Sequence, residues 1–230
     1  MPTLPLASGR VNDTWQARDD FHCFVDNTNW TVGGNTNAAI SVSDLVGGVV
    51  TLTPTDAANN WQAFIKGTSE SFQFTEKASF VAEGRIKFAE AATNAANVAF
   101  GVTNAVAVSL MVDDGAGMKA TGDYAAIYKI DGETVWRCKT LLNGTSYGAT
   151  TSTVTAGGAY QTLSIRFTDK AGSNSGTVEY FVDDRLIGTH NITTYSSSTQ
   201  MEPFFFVKNG TSAAQTLLID TFAAEGVALA

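Results

Sequence analysis

A chain of 230 residues, 44% hydrophobic and only 16% charged, is long enough to bury the core of one sizeable domain. Its 14 Lys and Arg against 22 Asp and Glu give a net charge of −8, which argues against a nucleic-acid partner because phosphate contacts need clustered cations. No apolar run reaches the roughly 18 to 20 residues of a membrane span, and residues 1–6 lack the basic start and apolar core of a secretory signal. We therefore expect a protein made in a cytoplasm, without a membrane partner.

The first 18 residues show neither strand nor helix periodicity. Prolines at positions 2 and 5 resist regular pairing, and the apolar anchors of this segment are Leu4, Leu6 and Trp15. We predict an N-terminal extended arm over residues 1–18, which either contacts a partner surface or adds an extra strand to the domain that follows. Its candidate partner-binding residues are Leu4, Leu6, Arg10 and Trp15.

From Asp19 onward, strand-like segments follow one another with almost no helical interruption. Clusters of Gly, Asn, Asp and Thr separate them, as expected of a β-sandwich. The strands predicted in the first half are 20–25, 39–42, 49–53, 61–66, 78–88, 98–103 and 106–112. Only residues 89–96 favour a helix, and they are too few for more than about one turn.

The clearest strand pattern lies in the second half of the chain, at residues 160–168. Its apolar side chains fall on one face, whereas Ser164, Arg166 and Thr168 fall on the other. This alternation is the period of a strand that is buried on one face and solvated on the other.

Two hairpins and two closing strands complete the predicted sandwich. The hairpins turn at residues 131–132 and 183–184, and the closing strands are 203–207 and 215–222. The Ser/Thr-rich residues 145–155 favour an exposed loop. With about a dozen or more strands and no internal repeat, the chain suits two packed antiparallel sheets better than a small barrel.

Residues that could carry catalytic or metal chemistry are sparse. His22 and His190 are the only histidines, and no Gly-x-Ser-x-Gly segment accompanies them, so we expect them to be solvent-facing or satisfied in the core. Cys23 and Cys138 lie in strand-like runs without metal-ligand spacing, which favours buried free thiols over a disulfide and argues against zinc. Residues 115–122 lack the Gly-Lys-Ser/Thr end of a phosphate-binding loop and favour a flexible loop between strands.

Adjacent aspartates occur at residues 113–114 and 183–184. Adjacent residues on a strand point to opposite faces, so we interpret both pairs as turns rather than as the two carboxylates of a sugar-cleaving enzyme. A calcium site remains an alternative where Asp and Asn cluster, at residues 26–27 or 56–60, although EF-hand spacing is absent. We assign no catalytic residue, no metal ligand and no cofactor.

The four tryptophans admit two interpretations. Trp15, Trp30, Trp61 and Trp136 could form a platform on which sugar rings stack. Because Trp61 and Trp136 fall inside strand patterns, packing in the core or on a sheet face is favoured instead.

Several segments resemble concanavalin A-like lectin/glucanase jelly rolls. They are residues 19–21, 80–88, 97–102, 176–184, 201–207 and 217–222. The resemblance covers residues 19–225 and implies an all-β jelly-roll sandwich of two antiparallel sheets, which we assign to residues 19–230. The Glu-x-Asp-x-(x)-Glu motif of the glucanase branch is absent, so we expect no enzymatic activity.

Within that superfamily, the chain is similar to tailed-phage virion proteins in which this jelly roll serves as a capsid decoration, or cement, module. They are acidic, rich in Ala, Thr and Gly, and often begin with an arm. The similarity implies a structural protein on the capsid exterior, made in the host cytoplasm, that binds the major capsid protein across shell subunits as a homotrimer. The alternatives are a lectin-like, glycan-binding module of a virion fibre or surface adhesin, and a glycoside hydrolase with a divergent acid pair.

Overall fold

The computed structural model describes residues 14–22, 24, 28–35, 39–43, 48–68, 72–76, 78–90, 92–107, 109–195 and 200–227. No helix in these segments could span a membrane. The strands are β1 (Thr14–Asp19), β2 (Trp30–Gly34), β3 (Ala39–Ser43), β4 (Val49–Thr53), β5 (Gln62–Gly67), β6 (Ser79–Ala89), β7 (Ala96–Thr103), β8 (Tyr124–Lys129), β9 (Val135–Leu142), β10 (Thr145–Thr155), β11 (Gln161–Lys170), β12 (Ser175–Val182), β13 (Arg185–Ile192), β14 (Glu202–Asn209) and β15 (Thr216–Val227).

The strands form two antiparallel sheets that pack face to face. Sheet A has the order β13-β12-β11-β6-β15-β4-β3, with β1 also paired to β15. Sheet B has the order β10-β9-β8-β7-β14-β5-β2. The predicted all-β sandwich of two antiparallel sheets is therefore confirmed.

The interior between the sheets is filled by aromatic side chains around Phe205 of β14. Its ring centroid lies 5.0 Å from that of Phe100 and 5.7 Å from that of Trp30. Opposite them, Gly84 of β6 has no side chain, and a Cβ there would lie only 2.6 Å from the Phe205 ring. The missing Cβ lets the two sheets approach across these rings, as close packing of an interior requires.

The segment that we predicted as an arm overlaps the first strand. Residues 14–19 form β1, which pairs with residues 222–227 of β15. Trp15 of β1 is half-buried and meets the Phe72 ring edge-on at 5.2 Å. The predicted boundary at residue 18 thus falls inside a strand, and Leu4, Leu6 and Arg10 lie outside the described residues.

Some local predictions differ from the structure. The described residues of the predicted strand 20–25 lie outside the strands. The described residues of 89–96, which favoured a helix, hold the end of β6, a turn and the start of β7. Residues 106–112 were expected to form a strand because they are apolar, but they belong to the long connection between β7 and β8. Residues 145–155 were expected to form a loop because they are rich in Ser and Thr, but they form β10, which pairs with β9. Polar β-branched residues suit an edge strand, where one face and one edge stay in water.

Candidate functional site

The central strands of sheet B are buried on both faces. Every residue of β7, β8 and β14 is buried, whereas burial alternates along β12 in sheet A. The outer cover of sheet B is formed by residues 104–107 and 109–123, which we call the β7–β8 loop. It inserts Leu110, Met111 and Met118 into a second apolar cluster. The sheet contributes to this cluster Phe64, Ala99, Tyr124, Ala126, Tyr128, Leu141, Phe204 and Phe206.

Two lysines of sheet B hold the β7–β8 loop on the sheet. Lys208 of β14 is fully buried; its Nζ donates to the Met111 carbonyl at 2.9 Å and pairs with the carboxylate of Asp113. Lys139 of β9 donates to the Met118 carbonyl at 3.2 Å. Burial lowers the pKa of Lys139, yet the carbonyl satisfies its ammonium group. These contacts close the centre of this face.

Residues 113–114 lie in a turn at the tip of the β7–β8 loop, with Asp114 at φ 56°. Its carboxylate accepts hydrogen bonds from the side-chain amides of Asn59 and Asn60, at 3.2 and 3.3 Å. The Asp/Asn-rich residues 56–60 therefore brace the loop, and amide nitrogens rather than further oxygens surround this carboxylate. The described part of the chain holds no group of three or more His, Cys, Asp or Glu side chains that could bind a metal ion. Residues 26–27 lie outside it.

His190 of β13 is buried where the edge strands of the two sheets meet. Its Nδ1 lies 2.8 Å from Thr140 Oγ1 of β9, and its Nε2 lies 3.0 Å from Thr150 Oγ1 of β10. Thr140 also bonds to the hydroxyl of Tyr180, which donates to the Lys139 carbonyl at 3.1 Å. Burial lowers the pKa of His190 to about 4, so the ring is neutral near pH 7.

Neither Cys138 nor His22 has the surroundings of a catalytic residue. The Cys138 thiol is free and buried, and burial raises its pKa to about 12, which leaves almost no thiolate nucleophile at neutral pH. His22 is exposed, and its Nδ1 lies 3.2 Å from the Asp20 carboxylate. Hydrogen bonding from His22 lowers the pKa of Asp20. Cys23 lies outside the described residues.

The tryptophans do not line up as a stacking platform. Trp30 and Trp136 are buried, and their Nε1 atoms donate to Asp19 at 2.9 Å and to Gln161 at 3.0 Å. Trp15 packs against the core, and Trp61 is half-buried just before β5. The interpretation as packing residues therefore agrees with the structure.

The outer face of sheet A is open and contains a depression of about 390 Å³, which we call the sheet A depression. It lies across β1, β15, β6 and β11, where register partners place Gln16 beside Glu225, Glu225 beside Val81, and Val81 beside Arg166. Its walls are completed by Ser79, Phe80, Phe167, Thr168, Gly226 and Val227. A shallow floor of Val and Gly is thus bordered by hydrogen-bonding side chains.

Arg166 is the most distinctive side chain of the depression. Its guanidinium carbon lies 5.2 Å from the centre of the Phe181 ring on β12, so the aromatic ring orients it. Within the described residues, Arg166 forms no ion pair. The exposed carboxylate of Glu225 lies 3.5 Å from the Gln16 amide. The site therefore offers a charged donor and a charged acceptor on opposite sides of Val81.

The sequence pattern indicates part of this surface. Residues 160–168 placed Arg166 and Thr168 on a solvated face, and both line the depression. Gln16 and Glu225 could not be joined to them, because the pairing of β1 and β15 links residues far apart in sequence.

Sequence comparison with protein families finds no match, and neither does comparison with curated proteins. Solved structures do match. An endo-1,3-beta-glucanase from Streptomyces sioyaensis has a TM-score of 0.65 at 14% identity, covering 99% of both chains. Peanut lectin has a TM-score of 0.60 at 13% identity, covering 95% of this chain and all of the lectin. An endo-beta-1,4-glucuronan lyase from the fungus Trichoderma reesei has a TM-score of 0.58 at 13% identity, covering 90% and 94%.

The fold is that of the concanavalin A-like lectins and glucanases. Our expectation of no enzymatic activity is wrong, because the structures that share this fold include a glucanase and a lyase, both enzymes, alongside a lectin. That expectation rested on one missing motif, which excludes one catalytic arrangement, whereas a single fold hosts many different sites. Nothing in the comparisons indicates a capsid decoration protein, and that role stays a prediction.

Proposed function

We propose that the chain binds carbohydrate at the sheet A depression. The observation that carries the proposal is the combination of two charged side chains around one open depression of about 390 Å³. They are the carboxylate of Glu225 and the guanidinium of Arg166, which lies over the Phe181 ring and has no ion-pair partner among the described residues. That volume lies within the range of small-ligand sites, about 300 to 1,000 Å³.

The chemistry of a sugar ring suits this lining. Each hydroxyl both donates and accepts hydrogen bonds, and neighbouring hydroxyls match the paired oxygens of Glu225 and the paired nitrogens of Arg166. The apolar face of the ring can lie on Val81 and Gly226, which form part of the lining. Gln16 offers one further donor and one further acceptor.

The structural neighbours support the same class of ligand. One is named a lectin and two are named for activity on glucan or glucuronan, so carbohydrate is the common chemistry of the three names. Because their identity to this chain is 14% or less, they suggest the class and not the sugar.

The test is a screen of the full chain against a panel of neutral and acidic oligosaccharides, followed by calorimetric titration of the tightest binder. We expect Arg166→Ala to weaken binding at least about tenfold, the loss for a charge-assisted hydrogen bond of about 1.5 kcal/mol. Arg185→Ala is the charge-matched control, since Arg185 is exposed at the β12–β13 turn and contacts Thr153 instead. Absence of binding to every panel member, or equal binding by R166A, overturns the proposal.

The same mixtures report on catalysis. Two of the neighbours are enzymes, so the bound oligosaccharide is analysed for new chain ends after incubation. Cleavage by the wild type that is lost in R166A would assign the activity to the sheet A depression.

The capsid-decoration role stands as a separate proposal that rests on the sequence resemblance alone. It requires binding to the major capsid protein and places the chain on a virion exterior. Co-sedimentation with assembled shells at several salt concentrations tests it, with saturation at a fixed ratio to shell subunits as the expected result.

A further inference from the structure

A second depression adjoins the first on the outer face of sheet A. It measures about 400 Å³ and lies across β11, β12 and β13. Its lining includes Lys170, Thr177, Asn191 and Thr193. Like the first depression, it is bordered by hydrogen-bonding side chains rather than by large apolar ones.

The strand register joins the two depressions. Thr168, in the wall of the first, pairs with Thr177, in the wall of the second, and Thr177 pairs with Asn191. On the other side, Thr168 pairs with Ser79. Since directly paired residues on one face are neighbours, these side chains form one row that crosses the strands. From β15 to β13 the row crosses four strand spacings, about 19 Å in total.

The charges along this row are balanced. Arg166 and Glu225 line the first depression and Lys170 lines the second. Glu179 lies between the two depressions as the register partner of Arg166. None of the four forms an ion pair within the described segments. A polyanion would meet two carboxylates and a polycation two cations, whereas an uncharged polyhydroxylated chain can use all four as hydrogen-bond partners.

We propose that the two depressions form one extended site for a linear, uncharged oligosaccharide that lies across strands β15 to β13. This inference rests on the proposed carbohydrate binding and adds the length and charge of the ligand. A single ring fills one depression, so the second depression contributes only when the chain reaches Thr177 and Asn191.

The test is calorimetric titration of the full chain with β-1,3-linked gluco-oligosaccharides from one to six units, and with the same length series of the best neutral sugar from the panel. We expect affinity to rise at least tenfold between the shortest and longest members of the series that binds. Arg166→Ala weakens every length, whereas Asn191→Ala weakens only the longer chains, by about fivefold to tenfold. Both residues are exposed, and thermal unfolding of the variants checks that they stay folded.

The outcomes separate the two proposals. Affinity that does not depend on length, with N191A equal to wild type, overturns the extended site and leaves binding at the sheet A depression in place. Tighter binding of an acidic oligosaccharide of equal length overturns the proposal that the ligand is uncharged. Binding of no sugar from the whole panel at any length overturns both the extended site and the proposed function.

Discussion

His190 shows how a single buried side chain links the structure to pH. Its ring nitrogens contact Thr140 and Thr150, and burial lowers its pKa to about 4 from an ordinary value of 6.5. Between about pH 4 and pH 6.5, the His190 ring is therefore protonated in the unfolded chain and neutral in the folded chain. The contribution of this histidine to stability is complete above pH 6.5 and is lost as the pH falls towards 4.

We expect the free energy of unfolding to fall by up to about 3 kcal/mol through this one group as the pH drops from 7 to 4. Urea denaturation at pH 7, 5.5 and 4.5 measures it in the wild type and in His190→Gln, whose amide does not titrate. His22→Gln is the matched control, because His22 is exposed. If the free energy of unfolding of H190Q fell with pH as steeply as that of the wild type, the pH dependence would not come from His190.

The surroundings of single residues such as His190 and Cys138 could be predicted only in part from the sequence. The lack of catalytic motifs around the histidines and cysteines favoured buried, satisfied side chains, and His190 and Cys138 agree with that interpretation. The partners of His190 could not be predicted, because they come from β9 and β10, whose positions beside β13 depend on how the two sheets close against each other.

The β7–β8 loop shows that the same limit of sequence-based prediction applies to a whole element. The apolar residues 106–112 predicted a strand, since a short apolar run cannot be told apart from other buried segments by its periodicity. In the structure, Leu110 and Met111 pack against Phe64 and Phe206 on the outer face of sheet B. A loop that covers a sheet face is as apolar as a strand, and only the three-dimensional contacts distinguish them.

We expect Leu110→Ala to lower the free energy of unfolding by about 2 to 5 kcal/mol, because the side chain is fully buried and its removal leaves a cavity. Val112→Ala is the control within the same loop, since Val112 is 39% exposed and should change stability by less than about 1 kcal/mol. Chemical denaturation measures both. Equal, small effects of the two variants would mean that the loop does not pack on sheet B in solution.

For the whole molecule, the fold class followed from the sequence because alternation of apolar and polar residues is a local property of each strand. The order of strands within the sheets could not be predicted from the sequence, since it depends on the pairing of distant strands such as β1 and β15. Trp15 illustrates the difference. It was predicted as an arm residue, yet it packs on Phe72, whose backbone is hydrogen-bonded to Met201 just before β14 of sheet B.

Trp15 therefore ties sheet A to a segment that is attached to sheet B. We expect Trp15→Ala to lower the free energy of unfolding by about 2 to 4 kcal/mol, while Arg18→Ala, an exposed change in the same strand, stays within about 0.5 kcal/mol. Thermal unfolding followed by circular dichroism compares the two. A W15A variant as stable as R18A would show that the contact of Trp15 with Phe72 does not stabilise the sandwich.

The position of β15 has a consequence for how the molecule is made. This strand lies inside sheet A, between β6 and β4, and β1 pairs with it as well. On the ribosome, β1, β4 and β6 emerge long before β15 and must wait for it with unpaired edges, so sheet A can be completed only after nearly all of these 230 residues have been synthesised. Such distant pairing also slows folding, so the unpaired edges stay exposed to solvent for longer.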